Sequence, residues 1–184
     1  MSDNRGIFTL DEFYDLQASG LAENILDVFL YDIVTEAGPN TGYFVGGYST
    51  SPSNQYLTQT QRVDFSNDTA TASVKGNLDA PSSANNWSGT GSMTDGYVAG
   101  ANAGGAGYSN GNRIDYSNDT ALAASKSEVL VNAVNRVGAV GTKDYGYWGG
   151  GTPGPKSTIS RLDFSNDSGG GVSKGNLSVA RYGL

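Results

Sequence analysis

The chain has 184 residues, with 11 Lys and Arg against 18 Asp and Glu, a formal net charge of -7, and neither cysteine nor histidine. Disulfides, thiolate metal sites and imidazole bases or ligands are therefore excluded, and the charge argues against a nucleic-acid surface or an anionic membrane, both of which need clustered Lys and Arg. Hydrophobic content is 37% while glycine alone supplies 27 residues, a composition that favours short strands and many turns over a thick core.

The first 37 residues differ from the rest. Met1-Ser-Asp-Asn-Arg5 lacks the basic and apolar stretches of a signal peptide. No apolar run approaches the ~20 residues that span a bilayer, so the expectation is a soluble product made without secretion. Thr9 and Glu12 have capping-box spacing, and Phe8 and Phe13 that of a hydrophobic staple. The pattern predicts a short helix from about Leu10 to Ala18, stopped at Gly20. Residues 25–34 hold eight apolar residues in ten and lean towards strand. They are too many to hide within so small a segment. Ile7, Phe8, Phe13, Tyr14, Leu26, Phe29, Leu30 and Ile33 are thus candidates for packing against the repeats, copies of this chain or another protein.

Residues 38–41 read as a linker, and a repeat array follows over 42–184, divided at about 42–95, 96–145 and 146–184. One phrase occurs three times: Arg62-Val-Asp64-Phe65-Ser-Asn67-Asp68, Arg113-Ile-Asp115-Tyr116-Ser-Asn118-Asp119 and Arg161-Leu-Asp163-Phe164-Ser-Asn166-Asp167. The opening aspartates lie 51 and 48 residues apart, and Lys75, Lys126 and Lys174 follow at one offset, as do Leu78, Val129 and Leu177. Arg, Asp and Ser two apart share one face of a strand whose other face is apolar. Ser-Asn-Asp is turn chemistry, and residues 69–74 again suit a strand. The unit reads as a β-hairpin tipped at Asn67, Asn118 and Asn166, with an Arg–Asp surface pair worth only ~0–1 kcal/mol. Upstream of each hairpin lies an aromatic strand running into glycines: Gly42-Tyr43-Phe44-Val45-Gly46-Gly47, Gly96-Tyr97-Val98-Ala99-Gly100 and Gly146-Tyr147-Trp148-Gly149-Gly150-Gly151. Glycines there suit close backbone approach. A period of this length fits a four-stranded propeller blade. Three blades do not close a ring, so a longer parent or a multi-chain assembly is expected.

Candidate chemistry is sparse. Asp64, Asn67, Asp68 and their equivalents offer oxygen ligands for Ca²⁺, yet their spacing is not that of an EF-hand loop, and an Asx-capped hairpin tip accounts for them. No metal or cofactor is expected. Paired carboxylates for glycoside hydrolysis would have to face one another across a cleft, whereas the repeated aspartates should lie far apart. Glu128, the only glutamate of the array, is the one acid that breaks the pattern. The glycines of residues 101–107 lack the Lys-Ser/Thr and helix of a phosphate-binding loop and read as a flexible loop. Tyr48, Tyr56, Trp87, Tyr108 and Tyr145 sit in or near variable loops, where they would either stack on sugars or fill the core between repeats.

Over roughly residues 42–184, the glycine-doublet strand, the Asp-aromatic-Ser-Asn-Asp phrase and Leu177-Ser-Val-Ala-Arg-Tyr-Gly-Leu184 resemble kelch-like arrays in virion proteins of cyanobacterial and marine tailed phages. The second copy departs from that wording at Lys126-Ser-Glu-Val129 and at Ala99 and Ala101. The resemblance implies a mainly β fold of about three kelch-like propeller-blade repeats, an incomplete ring, behind a short helical N-terminal docking segment. It implies a non-enzymatic, tail-fibre-like virion protein. Residues 1–37 would dock to tail, baseplate or neck proteins, and the repeats would present a surface to a host receptor or glycan. Tail fibres are typically homotrimers, so a homo-oligomer is expected, with neither nucleic acid nor membrane insertion. The alternatives are a capsid, neck or tail decoration protein without a receptor, and a carbohydrate-active enzyme on a propeller.

Overall fold

A computed structural model describes residues 40–50, 55–80 and 84–184. Backbone contacts group the chain into units 1–38 and 39–184, and every described residue belongs to the second. The expected helix over 10–18, the apolar segment 25–34 and the eight candidate docking residues from Ile7 to Ile33 lie outside the described residues.

The fold is mainly β, built on three larger antiparallel sheets laid out in chain order. The first holds β1 (Thr41–Ser49), β2 (Gln55–Asp64) and β3 (Ser73–Asn77). A separate small sheet of β4 (Ala84–Asn85), β7 (Asn102–Ala103) and β8 (Ala106–Gly107) sets β4 against β1 and β2. The second larger sheet is the meander β5 (Ser88–Gly91), β6 (Asp95–Ala99), β9 (Gly111–Asp115) and β10 (Ala124–Lys126). The third is β11 (Gly138–Gly141), β12 (Tyr145–Gly149), β13 (Lys156–Asp163) and β14 (Val172–Arg181). One register runs through all three: Tyr43 pairs with Arg62, Tyr97 with Arg113 and Tyr147 with Arg161.

The hairpins tipped by Ser-Asn are present, with 3-10 turns at Tyr116–Asn118 and Phe164–Asn166. The strand expected over residues 69–74 starts only at Ser73, because the residues before it are spent on turn hydrogen bonds. Both four-stranded sheets open one strand ahead of the aromatic strand. Those opening strands, Ser-Gly-Thr-Gly and Gly-Ala-Val-Gly, are too short and glycine-rich to show alternation. The glycines of 101–107 form an ordered hairpin, not a flexible loop. Gly104 and Gly105 take φ of +62° and +92°, and Asn102 Oδ1 accepts from Gly105 N at 2.9 Å.

The core lies between successive sheets. Leu78, from just beyond β3, packs with Val98, Ile114 and Ala123 of the second repeat. Val129, Leu130, Val134 and Val137, from the segment after β10, join Tyr97 and Ala99 to Trp148 and Leu162 of the third sheet. Trp148 is 1% exposed and donates its Nε1–H to Ser88 O at 3.0 Å, so one ring fills the gap and its polar atom is satisfied. Close backbone approach is real at Gly100, whose φ is +76° and where a Cβ would collide with Val137. Trp148→Ala should cost about 3–5 kcal/mol through the cavity it leaves, whereas Val140→Ala, at a residue 70% exposed, should stay within about 0.5 kcal/mol. Urea denaturation midpoints read both.

Candidate functional site: a repeated carboxylate clasp

Each hairpin tip is built the same way. Asp64 Oδ1 accepts from Ser66 N and Oγ at 2.9 and 2.6 Å. Asp115 does so from Ser117 at 2.8 and 2.6 Å, and Asp163 from Ser165 at 3.0 and 2.7 Å. Those serine hydroxyl bonds, then the backbone bonds, hold all three carboxyls below the usual aspartate range. Asn67, Asn118 and Asn166 each accept from the hydroxyl two residues on. The Oδ1 atoms of the first Asp and the Asn in each tip are thus occupied by local donors, as an Asx-capped tip requires.

In the first two repeats the Arg–Asp pair expected within the strand is replaced by a longer connection. Arg62 reaches not Asp64 but Asp119 of the next repeat, Nη1 to Oδ2 at 2.7 Å. Tyr43 Oη donates to the same oxygen at 3.0 Å, and Lys75 Nζ lies 3.3 Å from Oδ1. One step along, Asp167 Oδ2 takes Tyr97 Oη at 3.1 Å, Arg113 Nη1 at 3.2 Å and Lys126 Nζ at 2.9 Å. Arg113 Nε also lies 3.5 Å from Asp95. The reason is reach. Arg and the first Asp point the same way along one strand, but the second Asp, past the tip, projects onto the preceding sheet. There a Tyr, an Arg and a Lys from three neighbouring strands converge.

An aromatic pair accompanies each clasp. Tyr43 stacks on Tyr116 with centroids 5.1 Å apart, and Tyr97 on Phe164 at 4.6 Å. The backbones also join. Asp119 O accepts from Gly76 N at 2.8 Å, Asn77 O from Ala123 N at 2.9 Å, and Glu128 O from Gly171 N at 2.7 Å. Asp119 is 7% exposed. Burial pushes the Tyr97 hydroxyl up, and the Asp167 charge pushes it further. Burial would raise Asp167 too, but Lys126 and Tyr97 hydrogen bonds outweigh it and hold the carboxyl low. Tyr116 is pushed up to about 12 by burial, with Tyr43 and Asp95 adding. In the second clasp the proton therefore stays on Tyr97 and the charge on Asp167 across the neutral range. The arrangement fastens two sheets.

The loop aromatics do not form one site. Tyr48 and Tyr56 face each other across β1–β2, exposed, with centroids 5.1 Å apart. Trp87 is half-buried against the core between the first two sheets, edge-on to Tyr108 at 6.5 Å. Tyr145 lies under the Arg161 guanidinium, 4.3 Å from the ring centroid. Glu128 has φ of +54°, and its backbone is held by Asn110 Oδ1 and Gly171 N. Among the described residues no group of three His, Cys, Asp or Glu could hold a metal ion. No helix among them is long and apolar enough to cross a membrane. A scan against protein-family models and a search of curated proteins each find no match to this chain.

The lysine offset and the second Asp are visible in the sequence, but their meeting is not, since partners lie 44, 41, 57 and 54 residues apart (Lys75–Asp119, Lys126–Asp167, Arg62–Asp119, Arg113–Asp167). Asp119→Asn and Asp167→Asn should each cost about 1–3 kcal/mol, since charged donors lose a charged acceptor. Asp68→Asn, at an exposed residue of the same phrase, should stay within about 0.5 kcal/mol of wild type in dilute solution. Because Asp167, Asp64, Asp115 and Asp163 are held low when folded, their contribution is present at neutral pH. It is lost as pH falls through about 4 and below. Denaturation midpoints between pH 7 and 3 should drop, with a shallower fall in Asp167→Asn.

Proposed function

We propose that this chain is a tail-fibre-like virion structural protein, whose kelch-like repeats are propeller blades arranged side by side and whose work is contact, not catalysis. One observation supports this above the rest: the Tyr, Arg and Lys of the first two repeats and the second Asp of the last two are spent on holding neighbouring sheets together. Groups used that way serve a scaffold and are not free to act on a substrate. The two four-stranded antiparallel meanders suit the blade reading. Residues 1–37 would dock to tail, baseplate or neck proteins as a homo-oligomer, a trimer first, and the particle is the place to find the protein.

The exposed Tyr48–Tyr56 pair is the best-placed of the candidate sugar contacts, because Trp87 and Tyr145 are engaged by their own neighbours. Binding to a glycan array should fall about tenfold or more in Tyr48→Ala/Tyr56→Ala, as loss of aromatic stacking implies. Deletion of residues 1–37 should abolish incorporation into phage particles. Incorporation without any glycan binding would favour a decoration protein instead. Undiminished incorporation of the deletion variant would contradict the docking role.

A further inference from the structure

The clasp leaves one half unused at each end of the sheet order. Among the described residues the tip of the first repeat has no preceding sheet to grip: Phe65 is 59% exposed, and Asp68 is exposed with no ion pair. In the third repeat the receiving trio is complete but empty. Tyr147 and Arg161 are register partners on β12 and β13, and Lys174 lies on β14. Among the described residues neither cation has a carboxylate partner. Arg161 lies over the Tyr145 ring, and its Nε, like Arg113 Nε of the filled clasp, is buried without a hydrogen-bond acceptor.

The apolar surroundings are unpaired in the same sense. Leu78 and Val129 are buried against the following repeat, yet Leu177, at the same place in the third, is only half-buried. It lines a recess of ≈ 540 Å³ with Tyr147, Gly149 and Ile159. Ile114 and Leu162, which face those leucine and valine positions, are buried, whereas Val63, their equivalent in the first repeat, is not. Tyr97 is 1% exposed beneath Phe164, while Tyr147 is half-exposed.

We propose that the Tyr147–Arg161–Lys174 face takes the Phe65–Asp68 tip of a second copy of this chain, giving head-to-tail association. Asp68 would accept from Tyr147, Arg161 and Lys174, Phe65 would stack on Tyr147, and Val63 would meet Leu177. The occupant is chosen by complementarity that occurs twice within the chain, at Asp119 and Asp167. Two different surfaces meet, so the contact is heterologous and builds a ring if the rotation closes and a filament if it does not. Such association needs the repeat scaffold but not the virion role.

The test is sedimentation velocity on the full chain across a concentration series. Wild type should self-associate, less tightly at high salt. Asp68→Ala and the double variant Arg161→Ala/Lys174→Ala should each weaken association about thirtyfold or more, as loss of one side of a hydrogen-bonded charge pair does. In dilute solution the Asp68→Ala midpoint should be unchanged, and that of Arg161→Ala/Lys174→Ala should fall only slightly, through loss of the Arg161–Tyr145 stack, since neither variant touches an internal clasp. Mixed one to one, the two variants should pair with wild-type affinity and extend no further through this contact, because each keeps one intact half; association through residues 1–37 would persist equally in each variant alone. Three results would overturn the proposal: a wild type that stays monomeric up to about 1 mM, a variant that associates like wild type, placing the contact elsewhere (residues 1–39 included), or a mixture that fails to dimerise.

Discussion

A carboxylate withdrawn from water loses several kcal/mol of hydration unless donors replace it, and that constraint explains most of what is distinctive in this fold. Asp119 and Asp167 are each taken out of solvent and given a tyrosine, an arginine and a lysine. The three donors stand on three adjacent strands of the preceding sheet. One anion therefore ties those strands to one another and to the sheet after it. Because the anion comes just past the hairpin tip, the geometry of the Asx-capped turn is what aims it. The exposed bonds between Asp115 and Ser117 and between Asp163 and Ser165 thus act through the buried ones.

Around each clasp the apolar contacts are adapted to neighbours that differ. The first junction uses Leu78, Ile114 and the Tyr43–Tyr116 stack. The second uses Val129, Leu162, Trp148 and the Tyr97–Phe164 stack. The middle repeat, whose wording departs most, keeps four strands and takes part in both clasps. Its Glu128 keeps the carbonyl bond to Gly171 that Asn77 makes to Ala123. What recurs is the backbone bond and the carboxylate; the side chain that fills the space is negotiable, as expected of cores in which volume and pattern count for more than identity.

A scaffold fastened this way has consequences for where function can sit. The repeated residues at the two junctions are engaged between sheets, so what remains for recognition is the loops, the Tyr48–Tyr56 pair and the outer faces of the first and third sheets, where the repeated groups are left unpaired among the described residues. Repeat architectures commonly divide labour like this, with neighbour interfaces supplying stability and variable surfaces supplying recognition.

The mainly β class, the three hairpins and the Asx-capped tips were legible in the amino-acid order, because they depend on residues within a few positions of one another. Period-two alternation around Arg113 and Asp115 and the turn preference of Ser-Asn-Asp are local properties. The opening strands β5 and β11 were not legible, since glycine-rich tetrapeptides become strands only by pairing with β6 and β12. Nor was the partner of Arg62 and Arg113. An adjacent aspartate satisfies the pattern on paper, and only the packing of one sheet on the next brings Asp119 and Asp167 within reach. Sequence determined which groups would be charged, aromatic or turn-forming; tertiary structure decided which of them meet, because those meetings span roughly forty to eighty residues and depend on burial that no local spacing encodes.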